Sequence, residues 1–152
     1  MSPILGIIAS SITGGLSTTA YESIATTTVS SSVSSITFSS IPATYTHLQV
    51  RALARTDRTP TAYDYPAMRF NSDTGSNYGI HYLEGDGSSV ISGGSTSLSS
   101  IYLNEITSNG ASASIFGTFI VDILDYTNTN KYTTTRVLGG YDKNGSGLMT
   151  YR

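Results

Sequence analysis

Residues 46–55 read THLQVRALAR, and this stretch decides the fold class that the sequence predicts. Apolar side chains occupy every second position of its middle: Leu48, Val50, Ala52 and Ala54. The positions between them are polar, apart from Leu53. A period of two is typical of a β-strand whose sheet has one buried face and one solvated face.

Segments of similar character recur on both sides of this strand. With residues 46–55 they make about nine predicted strands, at the spacing typical of a β-sandwich. The other strands are predicted at 22–29, 33–39, 67–71, 77–83, 98–103, 112–125, 131–139 and 146–152. No amphipathic helix is predicted.

The links between these strands carry further expectations. Residues 67–71 and 77–83 are predicted to pair as a hairpin, and so are 112–125 and 131–139. The second hairpin holds the longest apolar run, so its first strand is expected to be buried on both faces. Residues 84–97 are predicted to be a long Gly/Ser loop, and 104–111 a turn.

The predicted fold is therefore all-β: an antiparallel β-sandwich, jelly-roll-like, with an extended N-terminal arm. An immunoglobulin-like sandwich is the second choice. Residues 1–20 are assigned to a docking arm and linker, and 21–152 to the sandwich domain. The last predicted strand extends to Arg152, so we expect either that a partner completes the sheet or that the sequence continues in a longer product.

Composition excludes several classes of function. The 152 residues include no cysteine, which removes disulfides, thiolate catalysis and cysteine-ligated zinc. Charged residues make up 12% of the chain and the net charge is −2, too little positive charge for a nucleic-acid backbone or an anionic membrane. We expect neither nucleic acid nor membrane as a partner, and no cofactor.

The first fifteen residues, MSPILGIIASSITGG, are the most apolar part of the chain. They lack the basic start of a signal peptide and are shorter than the ~20 apolar residues of a membrane helix. We predict that this arm docks on a neighbouring subunit; the alternative is an N-terminal strand of the same sandwich. The docking side chains are Ile4, Leu5, Ile7, Ile8 and Ile12.

Tyrosines form a second candidate site. Aromatic, hydroxyl-bearing side chains suit contact with sugars or proteins, because they present a large area at low entropic cost. The candidate ligand-contact residues are Tyr63, Tyr65, Tyr78 and Tyr82. The competing interpretation places the same tyrosines in the core or at its rim.

Catalysis and metal binding find little support. The two histidines, His47 and His81, are too few for the metal site of a cupin-like jelly roll. No spacing pairs the carboxylates as in a glycosidase, and no G-x-S-x-G motif is present. The Asn/Asp-rich segment at 71–77 is predicted to be a self-capped turn, with a cation site as the alternative. We expect no catalytic residue and no metal site, and predict that the protein is not an enzyme.

Four segments carry a resemblance to a known family. They are YESIATTTV (21–29), SSITFSSIPATYTHLQVRALAR (34–55), RFNSDTGSNYGIHYLEG (69–85) and SIFGTFIVDILDYTNTNKYTTTRVLGGYDKNGSG (114–147). Within them, SIPATYTHLQVR, FNSDTGSNY and DILDYTNTNK are the most specific. Together with the opening PILGIIASSITG, they resemble small β-rich virion proteins of tailed bacteriophages.

The resemblance implies a structural or accessory component on the surface of a virion. The first form of this hypothesis is a capsid decoration or cement protein that binds the major capsid protein as a homo-oligomer, a trimer. The alternative is the N-terminal module of a tail fibre or adhesin, which would bind a tail protein of the same phage and contact host glycans. The motifs do not decide between head and tail.

Overall fold

A computed structural model describes residues 21–142 and, for the backbone only, residues 147–151. The chain divides into two units, residues 1–41 and 42–152. The predicted boundary between residues 20 and 21 falls at the edge of the described part and stays a prediction. Among the described residues, no helix has the length and apolarity to cross a membrane.

The second unit contains one large antiparallel sheet. Its strands lie in the order β1-β8-β9-β10-β4-β5, so β1 and β5 form its two edges. Their bounds are β1 Leu48–Ala54, β4 Tyr78–Gly85, β5 Val90–Leu98, β8 Gly117–Leu124, β9 Thr134–Asp142 and β10 Gly147–Tyr151. The all-β, antiparallel class predicted from the sequence is confirmed.

Two short antiparallel sheets accompany the large one. In the first, β2 (Tyr63–Asp64) pairs with β7 (Ile106–Thr107), and in the second, β3 (Ala67–Met68) pairs with β6 (Ile101–Tyr102). Their segment contributes Ile101, Leu103 and Ile106 to a core that it shares with the inner face of the large sheet. From that face come Ile80, Phe119, Val121, Ile123 and Val137.

The strand predicted at 46–55 is confirmed as β1, and its alternating side chains Leu48, Val50, Ala52 and Ala54 pack against the core. The prediction for 112–125 was wrong in one respect. Its strand, β8, begins at Gly117 and is buried on alternate residues, not on both faces. The reason is that the short strands cover only one side of the large sheet.

The predicted loop at 84–97 is wrong. Residues 90–98 form β5, which pairs with β4 through a turn of four residues. The Asp86 carboxylate makes this turn tight, because it accepts hydrogen bonds from the backbone N–H of Ser88 at 2.8 Å and of Ser89 at 2.6 Å. The serines and glycines from 92 to 97 that suggested a loop are strand residues, and Gly93 leaves room for the Tyr82 ring opposite it.

Four further predictions are corrected. Residues 22–29 and 33–39 form no strand. The predicted hairpin of 67–71 with 77–83 is not formed, since β3 pairs with β6 while β4 pairs with β5 and β10. The predicted turn at 104–111 contains the buried strand β7. By contrast, the hairpin of β8 with β9 and the strand at the C-terminal end are confirmed.

Gly117 provides the first testable prediction. A Cβ atom there would lie 2.7 Å from Cβ of Ile106, one of the most deeply buried residues. We expect Gly117→Ala to lower the free energy of unfolding by about 1–3 kcal/mol, because the core must shift to accept the methyl group.

Chemical denaturation measures this effect, with Gly85→Ala as the matched control. The nearest atom to a Cβ at Gly85 is 3.8 Å away, so the control should change the stability by less than about 0.5 kcal/mol. Equal losses in the two variants would contradict the proposed packing of Ile106 on Gly117.

Candidate interaction surface and tyrosine cluster

The outer face of the large sheet carries apolar side chains that nothing in the described chain covers. They are Leu53, Leu83, Val90, Ile120 and Leu138, and all are exposed. The strand register brings them into neighbouring rows: Ile120 pairs with Leu138 in one row, and Leu53 lies opposite Thr118 in the next. We call these five residues the outer apolar patch.

The patch includes a shallow depression of about 700 Å³ between β1, β8 and β9. Its lining includes Leu53, Ile120 and Leu138, together with Gly140 and Arg51. Such an open, apolar surface suits contact with another protein better than the enclosure of a small molecule, which needs a concave site.

A polar network borders the patch. Asp122 accepts a hydrogen bond from Gln49 at 2.6 Å and forms an ion pair with Arg136 at 2.7 Å, while Arg51 donates to Gln49. The hydrogen bond from Gln49, followed by that from Arg136, holds the pKa of Asp122 below its ordinary value. The carboxylate is therefore a fixed negative charge at neutral pH, and this end of the face is polar.

On the inner face, two tyrosines bind one buried glutamate. The Tyr65 hydroxyl donates to one oxygen of Glu105, and the Tyr141 hydroxyl donates to the other at 3.1 Å. Burial, reinforced by the hydrogen bond to Glu105, raises the pKa of Tyr65. Burial and the negative charge of Glu105 raise the pKa of Tyr141 in the same way. The cluster connects the segment around β2, the segment before β7, and β9.

The structure brings two of the four candidate tyrosines together. The rings of Tyr63 and Tyr65 meet edge to face with their centres 5.8 Å apart. Tyr78 lies elsewhere, because its hydroxyl accepts a hydrogen bond from the backbone N–H of Phe70 at 3.2 Å. Tyr82 packs across Gly93 of the neighbouring strand. Contact of these residues with a ligand stays a prediction, and among them Tyr63 is exposed beside the cluster.

The predicted docking residues Ile4, Leu5, Ile7, Ile8 and Ile12 lie outside the described residues. The Asn/Asp-rich turn at 71–77 lies within them. There Asp73 accepts hydrogen bonds from the backbone N–H of Gly75 at 2.8 Å and from the Asn77 amide at 2.9 Å. These contacts are those of a self-capped turn. Over the described residues no three His, Asp or Glu side chains form a group suited to a metal ion.

Glu105 and Tyr141 were missed by the sequence analysis. Glu105 falls in the segment 104–111 that was predicted to be a turn, and nothing local indicates that a glutamate there is buried. Tyr141 lies on the same inward face of β9 as the buried Val137. The two-residue period of the strand is therefore the signal that identifies it. Their meeting depends on long-range packing, which a single sequence does not encode locally.

No protein-family model, curated protein or solved structure matches this chain. The functional interpretation therefore depends on its own residues and on the resemblance described above.

The tyrosine cluster yields a second prediction. The Tyr65→Phe, Tyr141→Phe double variant should lower the free energy of unfolding by about 1–3 kcal/mol, because it leaves a buried carboxylate without its donors. Tyr63→Phe is the matched control, since it also removes one phenol hydroxyl but not a hydroxyl that binds Glu105.

The same pair makes stability depend on pH. Because folding raises both pKa values, the folded chain holds these protons more tightly than the unfolded chain does. Their contribution is complete below the ordinary tyrosine pKa of about 10 and is lost as pH rises through the raised values. Denaturation of both proteins is measured at pH 8 and at pH 10.5. Between these pH values the free energy of unfolding should fall less for the double variant than for the wild type; an equal fall in the two proteins would contradict the assignment.

Proposed function

We propose that the protein is a structural component of a bacteriophage particle, a capsid decoration protein that binds neighbouring subunits through its apolar N-terminal arm. The major capsid protein is its proposed partner, the particle surface its location, and a homo-oligomer, a trimer, its assembled form. A polar network and an uncharged apolar patch on one sheet face suit a protein that is built into a larger assembly.

The observation that carries this proposal is the role of the residues that bear the resemblance. Tyr126, in DILDYTNTNK, donates its hydroxyl to the carbonyl of Pro42, in SIPATYTHLQVR. His47 of the same segment accepts a hydrogen bond from the backbone N–H of Asp125 at 2.9 Å. These side chains hold turns and strand ends together, so the resemblance lies in structural residues.

We also propose that the body is a jelly-roll-like sandwich. Support comes from the two short sheets, whose Ile101 and Ile106 share a core with Phe119 and Val121 of the large sheet. In this interpretation the short sheets form the second layer.

The tail-fibre alternative is less well supported. Host contact by a tail fibre would need a mobile surface loop, and β5 occupies most of the segment 84–97 that was predicted to be such a loop. A glycan-contacting role would then depend on the exposed Tyr63 and its neighbour Tyr65.

Deletion of residues 2–15 tests the proposal. Five aliphatic side chains, each contributing roughly 1.5–3 kcal/mol when fully buried, would dominate binding to the particle. We expect the deletion to weaken attachment to purified particles at least tenfold, measured by co-sedimentation. The control is the Ser10→Ala, Ser11→Ala variant, which keeps the apolar side chains and should attach normally.

Mass spectrometry of purified particles, calibrated against the major capsid protein, adds the copy number. Hundreds of copies per particle are expected for a decoration protein, whereas a few copies would favour the tail fibre. Attachment that survives the deletion would contradict docking through the arm.

A further inference from the structure

Residues 33–39, VSSITFS, have the sequence of a strand but pair with no strand in the part of the chain that the structure describes. Val33, Ile36 and Phe38 are 53%, 49% and 41% exposed. Among the described residues, no hydrogen bond involves this segment, whether from backbone or side chain. We call residues 33–39 the donor segment. With a period of two, Ile36 and Phe38 would share one face. β-Branched and aromatic residues fit a half-buried pleated surface, so their exposure indicates that a partner is missing.

The large sheet offers an edge that suits such a segment. β5 is nine residues long and contains neither proline nor charge, two features that protect edge strands, and its pairing with β4 is irregular only beyond Ser95. Val90 and Ile91 are 72% and 56% exposed on opposite faces of it. The other edge strand, β1, carries Arg51 and is followed by Arg55. The unprotected edge is therefore β5.

Donor segment and edge also match in length and charge. The register of β5 with β4 is regular from Val90 to Ser95, six residues against the seven of the donor segment. No Asp, Glu, Lys or Arg lies between Glu22 and Arg51, or between Asp86 and Glu105. Pairing would thus satisfy the backbone groups of both strands and bury apolar side chains without removing a charge from water.

Donor segment and edge are not paired with each other in the described part of a single chain. There β5 is an edge strand of the large sheet, and residues 33–39 form no strand. We propose that residues 33–39 of one copy add to β5 of a second copy, so that each sheet gains a seventh strand.

Cross-linking tests the pairing directly, because the chain has no cysteine of its own. Full-length chains carrying Ser35→Cys and Ser92→Cys are mixed and treated with a short bismaleimide, and the cross-linked heterodimer is identified by mass. The control mixes Ser35→Cys with Leu53→Cys, which places the second thiol on β1. We expect at least a tenfold higher yield for the first mixture; equal yields, or none, would overturn the proposal.

A second measurement uses the mass of the full chain in solution. Ile36→Ser with Phe38→Ser should raise the concentration at which the oligomer dissociates at least tenfold, by light scattering after gel filtration. The control makes the same kind of change in the neighbouring exposed segment, Ile24→Ser with Val29→Ser, and should leave the oligomer intact. A wild-type chain that is monomeric at every concentration, or a control that dissociates equally, would overturn the proposal.

This interface is separate from docking through the arm, so the two proposals can fail independently. A chain lacking residues 2–15 should keep its oligomeric mass while losing particle attachment. If that chain becomes monomeric, the arm and not the donor segment holds the copies together, which overturns the present inference. If it stays oligomeric and still attaches to particles, the inference stands and the docking proposal fails.

Discussion

The packing of the 101–107 segment on the inner face of the large sheet is the contact on which the rest of the second unit depends. Ile106 lies against Gly117 at the start of β8, where only a residue without a Cβ atom permits this approach. Val121 and Val137 are almost completely buried beneath the same segment. Since the segment covers one face only, the opposite face keeps its apolar residues in contact with solvent.

A polar contact supplements this apolar one. Glu105 lies between Ile106 and Asn104, and folding buries it with them. Its two oxygens accept the hydroxyls of Tyr65 and Tyr141, so the segment is held to β9 and to the loop before β3. A buried carboxylate without such donors would cost about 1–3 kcal/mol, which makes the cluster a specific requirement for the position of this segment.

The sequence predicts the parts of this fold that local pattern controls. The alternation in THLQVRALAR predicts β1 because one face of that strand is buried and the other is solvated. The same logic misjudges 112–125, where Ile120 is apolar yet faces outward. It also fails for VISGGSTSL, because glycine and serine signal a loop locally, whereas β5 needs Gly93 to admit the ring of Tyr82.

For the candidate surfaces, too, local pattern predicts some contacts and misses those that depend on distant residues. Tyrosines 63 and 65 are neighbours in sequence, so their association could be predicted, but the glutamate that binds Tyr65 lies forty residues further on. The pattern at 33–39 predicts a strand that the structure does not form, and only the proposal above gives this segment a place in a sheet. The pattern does not identify the partner strand, because any unprotected edge satisfies the same backbone groups.

In this interpretation the protein is an assembly module that offers residues 33–39 and the outer apolar patch to neighbours, since both are exposed in the described part of the chain. Hydrogen–deuterium exchange on the assembled full-length chain tests that claim most directly. The amides of residues 33–39 should be protected as strongly as those of β4, because they would lie inside a sheet. Exchange of these amides at the rate of a free peptide, under conditions that keep the protein assembled, would contradict it.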